Sequence, residues 1–121
     1  MKNKAPKISA AEWDVMKVVW SKNPILASEV IEKVAAGHKW HSKTVRTLLA
    51  RLVRKGALTF EKHGRAYMYR PLVSEADSIG AESDSFLQRV FGGAISPMLA
   101  HFVERRKISE SDLRELRRLL G

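Results

Sequence analysis

The sequence predicts a mainly α fold with a small β-hairpin wing: a winged helix-turn-helix followed by a C-terminal helical segment. Three segments with helical spacing of apolar residues precede residue 56, and two extended runs joined by a short Gly-containing connection follow them. Helical spacing then returns from residue 74 onward. We therefore expect two domains, the winged helix-turn-helix at residues 1–73 and the helical segment at residues 74–121.

The first two helices are predicted from their ends and their apolar spacing. Ser9 and Glu12 have the spacing of a capping box, with Ile8 and Trp13 placed as a hydrophobic staple around it. The predicted buried face of this helix is formed by Trp13, Met16, Val19 and Trp20. Helical spacing resumes after Pro24 in ASEVIEKVAAG, where Gly37 is predicted to follow the helix end and the inward residues are Val30, Ile31 and Val34.

The third helix is predicted between Ser42, a candidate N-cap, and Gly56. Its apolar residues recur at positions i, i+3, i+4 and i+7 and form one stripe, made of Val45, Leu48, Leu49 and Leu52. With this stripe turned inward, the outer face carries Lys43, Thr44, Arg46, Thr47, Arg51, Arg54 and Lys55. The helix is therefore expected to pack by one side and to expose a basic one.

The two extended runs after Gly56 are ALTFEK and AYMYRPLV, which are rich in aromatic and β-branched residues. His63, Gly64 and Arg65 separate them, and so short a connection predicts a β-hairpin. Pro71 has no amide hydrogen for sheet pairing, so the second run is expected to lie at an edge or to end there.

Three further helices are predicted beyond residue 73, the first of them ending before Gly92-Gly93. Their predicted N-caps are Ser74, Ser96 and Ser109. Three short helices can hardly bury so many large apolar side chains among themselves, so we predict that residues 74–121 form a dimerisation segment. The predicted dimer interface consists of Phe86, Leu87, Val90, Phe91, Met98, Leu99, Phe102, Val103, Leu113, Leu116 and Leu120.

The formal net charge of the chain is +9, and the excess lies in the first predicted domain. Residues 1–73 hold 15 Lys and Arg against 5 Asp and Glu, whereas residues 74–121 hold 7 against 8. A basic domain joined to a nearly neutral segment has the charge pattern of a nucleic-acid-binding domain with a second role elsewhere. This pattern predicts double-stranded DNA as the partner of the N-terminal part.

On the third helix, position along the axis sets the expected role of each outer residue. Side chains near the start of such a helix reach base edges, and those further along meet phosphates. The predicted base-reading residues are Lys43, Thr44, Arg46 and Thr47, and the predicted phosphate contacts are Arg51, Arg54 and Lys55. Ser42 at the helix start is a further predicted DNA-binding residue. Lys62 and Arg65 at the hairpin tip are the predicted wing contacts. A merely solvated helix face has the same pattern, but this helix is third, follows a turn, precedes a hairpin and belongs to the basic part.

The sequence offers little for catalysis or metal binding. It has no cysteine, which excludes disulfides, thiolate metal ligands and a thiol nucleophile. His38 and His41 have no neighbouring carboxylate in the sequence that would complete a metal site. We therefore predict no enzyme activity, no metal and no cofactor. No apolar run is long enough to span a bilayer and no secretory signal is visible, so we expect a cytoplasmic protein without membrane insertion.

Five stretches together resemble the penicillinase-repressor family: ISAAEWDVMKVVW, WHSKTVRTLLARLVRKGAL, YRPLV, FLQRVFGG and MLAHFVERRKIS. This family contains dimeric winged-helix repressors of β-lactamase genes and of copper-homeostasis operons. The resemblance extends from Ile8 to Leu120. It implies a homodimer that binds a palindromic operator through the third helix and the wing, and that controls a β-lactamase gene or another stress or resistance operon.

Two departures from the family pattern concern how repression is relieved. The copper-responsive branch has a C-terminal cysteine cluster, which this chain lacks, so a copper-thiolate switch is excluded. In the β-lactamase branch, a membrane sensor-protease system leads to cleavage between Asn and Phe, and the aligned pair here is His101-Phe102. Either such a protease accepts His101, or repression is relieved differently. Phe102 also belongs to the apolar stripe of its helix, where its first expected role is packing.

Two other functions are compatible with the same fold. One is a nucleoid-architectural protein that binds DNA without sequence preference. The other is a small-molecule-responsive regulator whose pocket is lined by Trp20, Trp40, Phe60 and Tyr67, although aromatic residues at such spacings are more often core residues.

Overall fold

A computed structural model describes residues 5–121 and shows a mainly helical chain with one small antiparallel sheet in that range. The helices are α1 (Ala10–Ser21), α2 (Ala27–Gly37), α3 (Ser42–Arg54), α4 (Glu75–Phe91), α5 (Ile95–Glu104) and α6 (Glu110–Leu120). The strands are β1 (Ile25–Leu26), β2 (Leu58–His63) and β3 (Ala66–Pro71). The predicted fold class and the order of its elements are confirmed.

The hydrophobic core of the described residues lies between α1, α2, α3 and the start of β2. It contains Ile8, Val15, Met16, Val19, Ile25, Val30, Val34, Val45, Leu48, Leu49, Leu52, Ala57 and Leu58, each buried. All four apolar residues predicted for α3 are in this core. On α1 the prediction was partly wrong, because Val15 is buried whereas Trp13 and Trp20 are only half-buried against the core.

The sheet has the strand order β1-β3-β2, so β3 is its central strand. Strand β1 was not predicted, since two residues are too few to show an alternating pattern. It pairs Ile25 with Tyr69 and Leu26 with Met68. Because β3 has a partner on both sides, Pro71 marks the end of the strand and not an edge of the sheet.

Several predicted helix ends are confirmed. Ser9 caps α1 in a complete capping box with Glu12, and Ser109 caps α6 in the same way. Ser74 Oγ accepts the amide hydrogen of Asp77 over 3.0 Å at the start of α4. At these three positions the serine hydroxyl oxygen accepts an amide hydrogen of the first helical turn, as predicted.

Three other predicted ends were wrong. His41, and not Ser42, is the N-cap of α3, and Ala94, not Ser96, is that of α5. Gly92 and Gly93 have φ angles of 60° and 88° and complete the reversal after α4, so α5 begins earlier than predicted. Gly37 is the last residue of α2 and has no left-handed conformation, because the chain continues directly into extended backbone at His38.

The chain divides into two compact units, the first ending at Ala81 and the second covering Glu82–Gly121. The second unit contains α5 and α6, neither of which has a buried residue. Large apolar side chains are exposed there, including Val90 (53%), Val103 (50%) and Leu120 (85%). Within residues 5–121, no helix has both the length and the apolar composition needed to cross a membrane.

Candidate nucleic-acid interface

Helix α3 has one buried side and one exposed side. Val45, Leu48, Leu49 and Leu52 are 0 to 5% exposed, which fixes the rotation of the helix on the core. The opposite side is exposed and carries the predicted contacts Ser42, Lys43, Thr44, Arg46, Thr47, Arg51, Arg54 and Lys55. The structure therefore places these eight side chains on the solvent side of one helix.

The start of α3 is held by two hydrogen bonds that the sequence did not suggest. His41 Nδ1 accepts the amide hydrogen of Lys43 over 3.1 Å, which satisfies one of the free N–H groups of the first turn. Thr47 Oγ1 donates to the carbonyl oxygen of Lys43 over 3.0 Å. The Thr47 hydroxyl proton is thus already used, and this side chain can offer a partner its methyl group and its oxygen lone pairs.

Four cations on the exposed side of α3 are free of carboxylates. Within the described part of the chain, no ion pair involves Lys43, Arg46, Arg51 or Arg54. The acidic side chains of the first unit that form ion pairs take other partners. Glu29 on α2, for example, pairs with Lys22 at the end of α1 and with Lys33 on α2. Unpaired arginines on one helix face are suited to phosphate and to guanine, which accept parallel hydrogen bonds from the guanidinium group.

A groove of about 530 Å³ lies between the start of α2, the middle of α3 and the hairpin. Arg46 and Arg65 both line it, together with Tyr67 and Tyr69 of β3 and Ser28 of α2. Burial raises the pKa of Tyr69, and the nearby Tyr67 adds to this, while Arg46 partly offsets it. The tyrosine therefore stays a neutral hydroxyl beside two guanidinium groups at neutral pH, and the groove is complementary to an anion.

The hairpin tip is a two-residue turn of Gly64 and Arg65. His63 pairs with Ala66 and is the last residue of β2, so the predicted three-residue connection was one residue too long. Gly64 has a φ of 64°, which a side chain at that position would disfavour. Arg65 and Lys62 are exposed, and the Lys62 Nζ lies 5.8 Å from the centre of the Tyr67 ring.

Lys55 at the end of α3 differs from the other cations of this face. Its Nζ lies 2.5 Å from Oε1 of Glu12 and 3.0 Å from the carbonyl oxygen of Lys7. Burial raises the pKa of Glu12, but the hydrogen bonds from Lys55 and Ser9 outweigh it, so this pKa is lowered overall. The structure thus gives Lys55 a partner inside the protein, although the sequence predicted a phosphate contact.

The predicted dimer residues lie on α4, α5 and α6. Of these, Phe86, Leu87, Phe91, Met98, Leu99, Phe102 and Leu116 are half-buried, whereas Val90, Val103, Leu113 and Leu120 are exposed. His101 and Phe102 are both inside α5, with the histidine exposed. His101 lies near the aromatic rings of Phe91 and Phe102, at centroid distances of 6.4 and 6.0 Å.

The histidines of the first unit have structural partners. His38 Nε2 lies 3.1 Å from Asp14 Oδ2, and its ring stacks on Trp40 with centroids 4.1 Å apart. Across residues 5–121, no three His, Asp or Glu side chains gather closely enough to hold a metal ion. The contact with Asp14 therefore connects α1 to the segment between α2 and α3.

The four aromatic residues considered for a small-molecule pocket do not all lie at the groove between α2, α3 and the hairpin. Tyr67 lines the groove described above, but Trp20, Trp40 and Phe60 do not. Trp20 donates its indole hydrogen to the Val73 carbonyl oxygen over 3.0 Å, and Phe60 packs edge-on against Tyr67. Sequence reasoning missed Tyr69 and Ser28 as groove residues. For Tyr69, the alternation along AYMYRP, which places it on the same face as Tyr67, was a usable signal.

Comparison with known proteins identifies relatives over the whole chain. The family model described as penicillinase repressor matches residues 8–121. The penicillinase repressor of Bacillus licheniformis is 40% identical over 117 residues, which are 97% of this chain and 91% of that protein. The methicillin resistance regulatory protein MecI of Mammaliicoccus sciuri is 36% identical over 121 residues, covering 100% of this chain and 98% of that protein.

Two solved structures resemble the first part of the chain. The solution structure of the DNA-binding domain of the repressor BlaI has a TM-score of 0.57 and 44% identity, and covers 64% of this chain and 93% of its own. The monomeric form of Bacillus licheniformis BlaI in complex with the blaP half-operator has a TM-score of 0.55 and the same identity and coverage.

Proposed function

Because this chain belongs to the penicillinase repressor family, we propose that it is a transcriptional repressor that binds a specific operator in double-stranded DNA. The observation that carries the proposal is the exposed face of α3, where four cations that have no carboxylate partner among residues 5–121 lie opposite a buried apolar stripe. The similarity to a repressor domain bound to a half-operator, at 44% identity, supports the same conclusion. The proposed target is a β-lactamase gene or another resistance operon.

In this proposal, the position of each exposed residue along the axis of α3 determines which part of the DNA it contacts. Lys43, Thr44, Arg46 and Thr47 read base edges in the major groove, with Ser42 at the helix start. Arg51 and Arg54 contact phosphates further along, and Arg65 and Lys62 contact the backbone or the minor groove beside the wing. The groove between Arg46 and Arg65 supports this division, because it places a guanidinium of the helix and one of the wing on the same concave surface.

The second unit is proposed to pair two copies of the chain. The support is that α5 and α6 have no buried residue, while apolar side chains such as Val103 and Leu120 are exposed. Burying apolar surface contributes about 25 cal/mol per Å², so a second copy would stabilise these helices. A homodimer with two-fold symmetry matches a palindromic operator, because each copy presents one α3 to one half-site.

Relief of repression is proposed to follow cleavage of the bond between His101 and Phe102. This bond is inside α5, so a protease can reach it only after the helix unwinds locally. In a single copy α5 has no buried residue, so the helix unwinds at little cost, and the protease is proposed to act on copies that have dissociated from the dimer. A cleaved copy would lack part of the proposed interface and could no longer pair. Mass spectrometry of the repressor from cells treated with a β-lactam tests the proposal: a fragment ending at His101 supports it, and an intact chain during derepression contradicts it.

The repressor function itself is tested with DNA selected from a random library by the full-length protein. A specific repressor should bind the selected palindrome at least about 10³-fold more tightly than a scrambled sequence at the same salt concentration. Equal affinity for both sequences would overturn the repressor proposal and would favour the architectural function. The salt concentration must be the same in both titrations, because phosphate contacts alone change affinity strongly with salt.

A further inference from the structure

We propose that Lys55 is a positioning residue, which together with Glu12 holds the end of α3 in place from inside the protein, and not a phosphate contact. We call these two side chains the Glu12–Lys55 pair. The inference builds on the proposed function, because the element that the pair positions is the helix proposed to read DNA. It changes the expected set of phosphate contacts at the end of α3 to Arg51 and Arg54.

The geometry of the pair gives Lys55 two acceptors within the protein. Its Nζ lies 2.5 Å from Glu12 Oε1 and 3.0 Å from the carbonyl oxygen of Lys7. Glu12 is only 1% exposed, and it also accepts the amide hydrogen of Ser9 over 2.8 Å. The pair therefore joins three parts of the first unit: the segment before α1, the first turn of α1 and the C-terminal end of α3.

Because Glu12 is buried, it is electrostatically unfavourable for the Lys55 ammonium group to leave this carboxylate and contact a DNA phosphate. A carboxylate that has lost most of its contact with water needs a cation or several hydrogen-bond donors to stay charged. If Lys55 turned outward, Glu12 would keep only the hydrogen bond from Ser9 and would be a buried charge without a counterion. The lowered pKa of Glu12 agrees with a carboxylate that is kept ionised by Lys55 and Ser9.

Two backbone hydrogen bonds, donated by the two residues that follow Lys55, end α3. Gly56 has a φ of 83° and donates its amide hydrogen to Val53, and Ala57 donates to Leu52 over 2.9 Å. These two bonds form a Schellman motif, which fixes where the helix stops and where β2 begins. The Glu12–Lys55 pair adds a side-chain connection from this end to α1. Arg51 and Arg54 are exposed and have no carboxylate partner among the described residues.

The salt dependence of operator binding separates a positioning residue from a phosphate contact. Each phosphate contact contributes about 0.9 to the slope of log affinity against log salt concentration, so a symmetric dimer that loses one contact per copy changes its slope by about 1.8. We expect Lys55→Met to lower operator affinity by about tenfold with a slope change below about 0.5. The matched control is Arg54→Met, which removes a cation from the same helix end and should lower the slope by about 1.8.

A second variant keeps the test valid if Lys55→Met unfolds. In the double variant Glu12→Gln/Lys55→Met no buried charge is left, so we expect it to fold, to recover most of the lost operator affinity and to keep the wild-type slope. Thermal unfolding of the wild type, Glu12→Gln, Lys55→Met and the double variant without DNA should show the same non-additivity. Two results overturn the inference: a slope lowered by about 1.8 in the double variant, or strictly additive effects on unfolding.

Failure of this inference is distinguishable from failure of the proposed function. The wild-type protein is titrated in parallel with the selected palindrome and with its scrambled form. If the wild type prefers neither sequence, the repressor function fails, while the non-additive unfolding of the Glu12 and Lys55 variants still tests the pair. If the wild type prefers the palindrome and the salt slope of the Lys55 variants is lowered by about 1.8, only the positioning role of Lys55 fails.

Discussion

The two compact units of this chain differ in how their apolar residues are covered. The first unit contains the buried core, and the thirteen buried hydrophobic residues found in the described part of the chain all lie between Ile8 and Leu58. In the second unit, neither α5 nor α6 has a buried residue. The difference indicates that the first unit has what it needs to fold as a single copy, whereas the second has an apolar surface suited to association.

The same division appears in the charges. Residues 1–81 hold 15 basic against 7 acidic side chains, and residues 82–121 hold 7 against 6. Repulsion between two copies is therefore smaller at the second unit, and attraction to a polyanion is stronger at the first. Apolar exposure and charge thus agree with the same proposal, in which the first unit binds DNA and the second unit pairs two copies.

The largest expected effect comes from removing the second unit. A chain truncated after Ala81 should be monomeric by light scattering and should bind a palindromic operator about 10²- to 10⁴-fold more weakly, because the two half-sites are no longer bound together. Its affinity for an isolated half-site should equal that of one copy of the full chain. A dimeric truncated chain would show that the association surface lies in the first unit.

A smaller effect is expected from single alanine substitutions, one in the core of the first unit and one on the surface of the second. Leu52→Ala should lower the free energy of unfolding by about 2–5 kcal/mol, because Leu52 is fully buried and its loss leaves a cavity. Leu119→Ala should change it by less than about 0.5 kcal/mol, since Leu119 is 66% exposed. Chemical denaturation of both variants tests this contrast, and equal destabilisation would contradict it.

Within the first unit, the two ends of α3 should respond differently. Arg46→Ala should cost about 1–3 kcal/mol of operator binding and relax sequence preference, because Arg46 lies near the helix start and lines the groove shared with Arg65. Arg54→Ala should weaken binding to all DNA sequences alike. Titrations on selected and scrambled DNA measure both. If the Arg46→Ala variant kept the wild-type preference for selected over scrambled DNA, Arg46 would not be a base-reading residue.

The smallest expected effect is the pH dependence of the Glu12–Lys55 pair. Because the pKa of Glu12 is lowered in the folded chain, the pair stabilises the fold above the ordinary value of 4.5, and this stabilisation is lost as the pH falls through the lowered pKa. The unfolding free energies of wild type and Glu12→Gln should therefore differ at about pH 7 and converge as the pH falls from 4.5 through the lowered pKa. A difference that is independent of pH would contradict this role of Glu12.

Elements with a strong local signal were predictable from the sequence. The stripe of α3 and the capping boxes at Ser9 and Ser109 depend on residues within one or two helical turns, and the structure confirms each of them. The hairpin was predicted from its short Gly-containing connection, and its strands were located to within about two residues.

The features that were missed depend on contacts distant in sequence or on unusual chemistry. Strand β1 has two residues and exists because β3 offers it a free edge, which no local pattern reveals. The cap of α3 is a histidine, a residue that seldom fills this position, so the adjacent Ser42 was the natural choice. The partner of Lys55 is 43 positions away in the chain, and a basic residue on an outer helix face gives no sign of it.

The division of tasks between the two units is tested most directly with two operators. One has both half-sites intact, and in the other a single half-site is scrambled. The full-length protein is titrated with each, and the number of bound copies is measured by mass. If the second unit pairs two copies, we expect two copies on the intact palindrome and an affinity at least about 10²-fold lower when one half-site is scrambled. Equal affinity for the two operators, or a single copy bound to the palindrome, would contradict it.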